Sequence, residues 1–133
     1  IRPGLEYASI TWNPWLKKDK RALENIQNRV KRLPNKDLQL ESLESRRRRT
    51  DLVETYKFVT GKYKTKTSRI FKQPHRTLRG HCLKLFKPPA KTEVLRNFFA
   101  HRVIDAWNLL DDTIVVASTT ASFAKKLRAV PLA

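Results

Sequence analysis

Apolar positions recur along this chain at spacings that predict helices over most of its length, with one interruption between residues 62 and 89. Residues 5–12 form a short apolar run that ends at Asn13-Pro14, where asparagine can cap a following helix and proline suits its first turn. Over residues 15–33, Leu16, Leu23, Ile26, Val30 and Leu33 recur at threes, fours and sevens and share one helical face. Lys17, Lys18, Lys20, Arg21, Arg29, Lys31 and Arg32 take much of the rest, and Pro34-Asn35 predicts the stop. The Trp12 region is expected to pack under the face formed by Leu23, Ile26 and Val30.

Leu38, Leu40, Leu43, Leu52, Val53, Tyr56 and Val59 make a second amphipathic pattern, one helix or two, closed by Gly61 as a C-terminal cap. The pattern then changes. Threonines, prolines and charge become dense, and Leu83-Lys84-Leu85-Phe86-Lys87 partly alternates, which predicts a loop followed by a short strand. Thr92 can cap a helix carrying Leu95, Phe98, Phe99, Val103, Ile104 and Trp107, of which Phe98, Phe99, Ile104 and Trp107 are expected to be largely buried. A last helix beginning near Thr119 or Thr120 would bury Phe123, Leu127 and Val130. No internal repeat is visible. The fold predicted is mainly α, with about five helices, a basic irregular or short β segment near residues 62–90, and partial disorder.

Charge changes this picture from a helical domain to a candidate polyanion binder. The 133 residues include 29 Lys and Arg against 12 Asp and Glu, a formal charge of +17 and a pI of about 10.6. The excess is uneven. Residues 1–35 carry eight bases and three acids, 36–61 six and five, 62–102 twelve and one, and 103–133 three of each. The third segment, at +11, is therefore where a polyanion is expected to bind. Hydrophobic residues make up 40 % of the chain, lean but enough for one modest core. The chain starts at Ile1 and contains no methionine, so it is expected to be a piece of a longer protein. Its single cysteine, Cys82, leaves no internal disulfide and fits a reducing compartment. No run approaches the roughly eighteen apolar residues of a membrane span, so no membrane partner is expected and the location would be intracellular, nucleus or cytoplasm.

The basic segment supplies Lys62, Lys64, Lys66, Arg69, Lys72, Arg76, Arg79, Lys84, Lys87 and Lys91, interleaved with Tyr63, Phe71 and Phe86. Cations neutralise phosphates with release of counterions, and rings can stack on unpaired bases, so the mixture suits RNA, DNA or their hybrid. The other reading is a solvated loop with its rings tucked into the core. Arg46, Arg47, Arg48 and Arg49 could clamp phosphate or pair along a helix with Glu41, Glu44, Asp51 and Glu54. His75, His81, Cys82 and His101 equal a zinc ligand set in number, but they lack its paired spacing, so no metal or other cofactor is expected. Gly4, Gly61 and Gly80 are the only glycines, too few for a phosphate loop, and Cys82 beside His81 is a weak nucleophile arrangement.

Four groups of residues, in order, resemble the region downstream of the polymerase core in non-LTR retrotransposon reverse transcriptases, particularly the jockey-like branch. The first is Leu5-Glu6-Tyr7-Ala8-Ser9 with Trp12-Asn13-Pro14, Leu23-Glu24 and Gln27. The second is Ser42-Leu43-Glu44, Arg46-Arg47, Arg49, Asp51-Leu52, Tyr56-Lys57 and Gly61. Arg79-Gly80-His81 with Leu83-Lys84-Leu85-Phe86-Lys87-Pro88 is the third, and Asn97-Phe98-Phe99, Arg102-Val103-Ile104, Trp107-Asn108, Ser122-Phe123 and Leu127 the fourth. Between Leu33 and Leu43 the connector is shorter than the family pattern.

The resemblance implies that residues 1–61 are a thumb-like helical segment, followed by a basic segment over 62–91 and a C-terminal helical segment over 92–133. It also implies a parent RNA-directed DNA polymerase whose remainder would be a partner. By the same resemblance, the palm and its magnesium-binding aspartates would lie outside this chain. Leu109-Leu110-Asp111-Asp112 is only distantly similar to the Tyr-x-Asp-Asp turn of such enzymes, and the chain alone is not expected to catalyse a reaction. The alternatives are a decayed element fragment without activity and a basic host protein that binds RNA or chromatin.

Overall fold

The computed structural model of the chain describes residues 2–33 and 39–132. Among these the order is α1 (Arg2–Glu6), α2 (Ser9–Trp12), α3 (Lys17–Lys31), α4 (Leu43–Val59), a 3-10 turn (Thr67–Arg69), α5 (Glu93–Asn97), α6 (Phe99–Asn108), α7 (Asp112–Val115) and α8 (Thr120–Arg128). The chain is mainly helical, as its periodicity predicts, but its N-terminal apolar stretch and the helix expected from Thr92 are each divided. The N-terminal one breaks at Ala8, whose φ of 48° is left-handed backbone, and the Trp12 indole N–H ties the break by donating to the Tyr7 carbonyl. The one expected from Thr92 starts there, with the Thr92 hydroxyl accepting from Leu95 N, but turns extended at Phe98 before α6 resumes. The strand expected at residues 83–87 reduces to a single antiparallel bridge between Lys72 and Phe86. The predicted stop at Pro34-Asn35 and the apolar position Leu38 lie outside the described residues.

α4 is the hub, packing against α2, α3, α6 and α8. One of its stripes is apolar: Leu52 and Tyr56 are buried against α6 and α8, and the Tyr56 ring stacks on Phe123 at 4.4 Å while its hydroxyl donates to the Ala117 carbonyl. The other is polar and buried, with Arg47, Asp51 and Thr55 following Leu43 at steps of four. Burying such groups is costly unless each finds a partner. Arg47 Nε donates to Asn13 Oδ1 at 2.9 Å, Thr55 donates back to the Asp51 carbonyl, and Asp51 receives a bidentate pair from Arg102 at 2.9 Å to each oxygen. Arg47 Nη1 is buried without a partner among the described residues. Asn13 therefore holds α4 and not the start of α3, whose N-cap is Leu16 without a side-chain bond.

α3 docks in a way its apolar pattern did not predict. Gln27 is its buried residue, and Lys20, Glu24 and Gln27, at helical spacing, meet the N-terminus of α4, while Leu23, Val30 and Lys31 are half-buried. The Glu24 carboxylate accepts from Leu43 N at 3.0 Å and Gln27 Nε2 donates to the Glu41 carbonyl at 3.0 Å, while Lys20 pairs with Glu44. The first N–H groups of a helix need acceptors and favour negative charge, which explains why Glu24 is turned toward the start of α4. Leu16, Ile26 and Leu33 remain exposed, Ile26 at 41 %, Trp12 is likewise exposed, and Leu23 and Val30 are half-buried.

The core lies where α4, α6 and α8 converge. Trp107 is fully buried there, with Phe99, Val103 and Ile104 beside it and Phe123 and Leu127 opposite. Phe98, expected inside, is 57 % exposed because the extended backbone at the α5–α6 break turns it outward. Val130 is half-buried. No helix among the described residues is long and apolar enough to cross a membrane.

Candidate nucleic-acid interface

The basic segment leaves α4 through Gly61, whose φ of 71° is the left-handed conformation that ends many helices, with Lys62 N bonding back to the Lys57 carbonyl at 2.9 Å. From there the segment is irregular but held at defined points. Thr67 donates to the Phe58 carbonyl, and Phe71 and Leu85 insert into the core. The end of α6 fastens the second half. Trp107 Nε1 donates to Leu83 O at 2.9 Å, and Asn108 makes two bonds at 2.9 Å, accepting from Leu85 N and donating to Leu85 O. The His81 ring, buried edge-on to Trp107, donates Nε2–H to the Trp107 carbonyl at 3.0 Å. A carbonyl can only accept, so Nε2 carries the proton.

The end of the Lys84 side chain lies over Gly80. The glycine's φ is 112°, and a Cβ at this position would come within 2.6 Å of Lys84 Cε. Any other residue would be strained and would push Lys84 aside. Lys84 is half-buried; Lys62, Lys64, Lys66, Arg69, Lys72, Arg76, Arg79, Lys87 and Lys91 are exposed. Of these ten, Lys87 alone forms an ion pair among the described residues, with Asp105. The segment thus carries its charge largely uncompensated.

The arginine tetrad behaves oppositely. Arg46 pairs with Glu6, Arg47 is buried against Asn13, Arg48 pairs with Glu44 at 3.1 Å, and Arg49 pairs with Glu41 at 2.7 Å while donating to the Leu127 carbonyl. Of the four acids expected to flank it, Glu41 and Glu44 do so. Asp51 serves Arg102, and Glu54 serves Lys57 and the Tyr63 hydroxyl. Burial pushes the Asp51 carboxyl above its ordinary value, with Arg102 opposing. The Lys20 bond holds Glu44 below the usual carboxylate value.

The three interleaved rings separate. Phe71 is core, packed edge-on to Phe99 at 5.9 Å, and cannot stack on a base. Tyr63 lies beside Phe58 and below Lys57, with its hydroxyl bound to Glu54. Phe86 is 37 % exposed. Its neighbour His75, which the sequence offered only as a metal ligand, lies 6.4 Å away ring to ring.

The zinc candidates are dispersed to other partners: His81 bonds to Trp107, His101 Nε2 to the Pro88 carbonyl at 2.8 Å, and Cys82 is exposed. Among the described residues no three His, Cys, Asp or Glu side chains are placed to hold a metal ion. Asp111 is the N-cap of α7 and Asp112 its first residue, a position where a carboxylate favourably meets the helix dipole. The chain matches no family model, no curated protein and no solved structure.

Proposed function

We propose that this chain is a nucleic-acid-holding segment of a larger non-LTR retrotransposon reverse transcriptase, acting through phosphate contacts and carrying no catalytic centre of its own. One observation carries the binding part of this reading. Nine of the ten cations in the basic segment have no ion pair among the described residues, although the segment is fastened to the core at Phe71, His81 and Leu85. A solvated linker would have no need of such anchoring, and concentrated like charge destabilises a fold that has no polyanion to meet it. The parent assignment rests on the four groups of residues described above. Several of them pair with one another across the chain: Asn13 with Arg47, Asp51 with Arg102, and Trp107-Asn108 with the segment of Leu83 and Leu85.

Phosphates would dominate affinity and bases would contribute little sequence preference. If about five phosphates are neutralised, log affinity falls with log salt at a slope of roughly −3.5 on a single strand and −4.5 on duplex. Fluorescence anisotropy of labelled random-sequence oligonucleotides between low and physiological salt measures both slopes. Affinity that does not respond to salt would rule the electrostatic reading out.

A further inference from the structure

The basic segment contains a cleft floored by Phe71 and walled by Phe86, His75 and Lys72, with Ser68 and Gln73 at its rim. Resting on the proposed nucleic-acid reading, we infer that this cleft accepts an unpaired nucleobase, so that the segment holds single strands more tightly than its charge alone provides.

Phe86 is the first reason. Its main chain is tied by the bond from its own N–H to the Lys72 carbonyl, 2.8 Å, and the residue is 37 % exposed where it lines the same cleft as the buried Phe71. A partly exposed aromatic on a tied main chain can serve as a stacking platform with part of its ordering cost already met in folding. The second reason is the adjoining wall, where the His75 ring lies 6.4 Å from that of Phe86, tilted 59° to it, and is itself exposed. A base stacked on Phe86 would therefore meet a second ring at its edge. The third is the rim. Ser68 and Gln73 are exposed and make no side-chain hydrogen bond to a described residue, so a hydroxyl and a primary amide are available to the polar edge of a base. Donor and acceptor together tolerate any base, in keeping with binding that does not read sequence. Lys72 in the wall, with Arg69 and Arg76 close in sequence, supplies cations for the phosphates on either side of that nucleotide. A duplex keeps its bases stacked and could present only its backbone.

The test uses three probes of equal length: a mixed-sequence single strand, the same strand with abasic sites throughout, and its duplex. Phe86→Ala should weaken the ordinary single strand about 5- to 150-fold at fixed salt, the equivalent of one stacked base at roughly 1 to 3 kcal/mol. Its salt slope should not change, because no phosphate contact is lost. The abasic strand and the duplex should bind both proteins equally, and Phe86→Tyr should retain most of the wild-type affinity. If Phe86→Ala melts at a lower temperature than the wild type, Phe86→Leu, which keeps apolar bulk without a ring, replaces it with the same expected loss. An unchanged affinity for the ordinary single strand, or an equal loss on the abasic one, overturns the base site while leaving salt-dependent binding intact. Failure to bind any probe removes both.

Discussion

Trp107→Ala should abolish the cooperative melt of this chain or lower its midpoint by roughly 10 to 25 °C, whereas Trp107→Phe should lower it by only a few degrees. The indole is fully buried between α4, α6 and α8, with the His81 ring at 5.9 Å and Phe123 at 6.0 Å. Removing such a side chain typically costs about 3 to 5 kcal/mol in transfer and cavity terms. The truncation also leaves the Leu83 carbonyl without its donor, roughly another 1 kcal/mol. Total stabilities run about 5 to 15 kcal/mol, so the loss amounts to between roughly a quarter and all of it. Phenylalanine keeps most of the volume and loses mainly the Leu83 bond. Circular dichroism during thermal denaturation distinguishes the two; an alanine variant that melts like the wild type would mean that α6 does not organise the core.

Arg102→Met should destabilise the fold by about 3 to 5 kcal/mol at neutral pH, and by less in mild acid. Arg102 joins four parts of the chain, pairing with Asp51 of α4 and donating to the Ile10 carbonyl of α2 and the Asn97 carbonyl at the end of α5, while lying over the Phe99 ring. Methionine preserves the stem but strands Asp51 as a buried anion. Burial already raises the Asp51 carboxyl, and loss of Arg102 removes the largest opposing influence. The folded value then lies further above the unfolded one, which is close to 3.9. A raised carboxyl value means that stability is present at low pH and is lost as pH rises through the folded value. The gap between variant and wild type should therefore narrow as pH falls from 7 toward the upper acid range. Urea unfolding at pH 7 and 4.5 measures it. A gap of the same size at both values would show that Asp51 is not left charged and buried.

The helical content was legible because periodicity reports faces, and the Thr92 cap, the Gly61 cap and the burial of Trp107 followed directly. Periodicity does not report partners. The stripe of Leu16, Leu23, Ile26, Val30 and Leu33 is a valid amphipathic face, yet only Leu23 and Val30 of it are half-buried, and α3 turns Glu24 and Gln27 toward the Leu43 N–H and the Glu41 carbonyl. Similarly, Arg47, Asp51 and Thr55 stand at steps of four in the sequence, a pattern that reads equally as a solvated face until Asn13 and Arg102 are brought to it from far along the chain. The breaks at Ala8 and Phe98 carry no glycine or proline to announce them.

At the candidate interface, counting charges located the segment but could not sort its rings. An aromatic among lysines reads as a stacking ring or as a core anchor, and only the contact of Phe71 with Phe99 against the openness of Phe86 separates the two. His75 was visible only as one of four metal-type side chains, since nothing in the local sequence predicts the Lys72–Phe86 bridge that brings it near Phe86. The two bonds from Asn108 to Leu85 were equally hidden: an asparagine at a helix end more often caps its own helix than holds a loop.

Binding through the basic segment is tested most directly by moving the charge loss. Arg69, Arg76 and Arg79 replaced together by glutamine should flatten the salt slope by about 2 to 3 units and weaken random sequences equally, because each removes roughly one phosphate contact. Lys125, Lys126 and Arg128 of α8, replaced in the same way, remove the same formal charge and should leave the slope within about half a unit of the wild type. Slopes that flatten equally in the two variants would mean that the polyanion responds only to total charge, and a flatter slope in the α8 variant alone would place the interface on that helix.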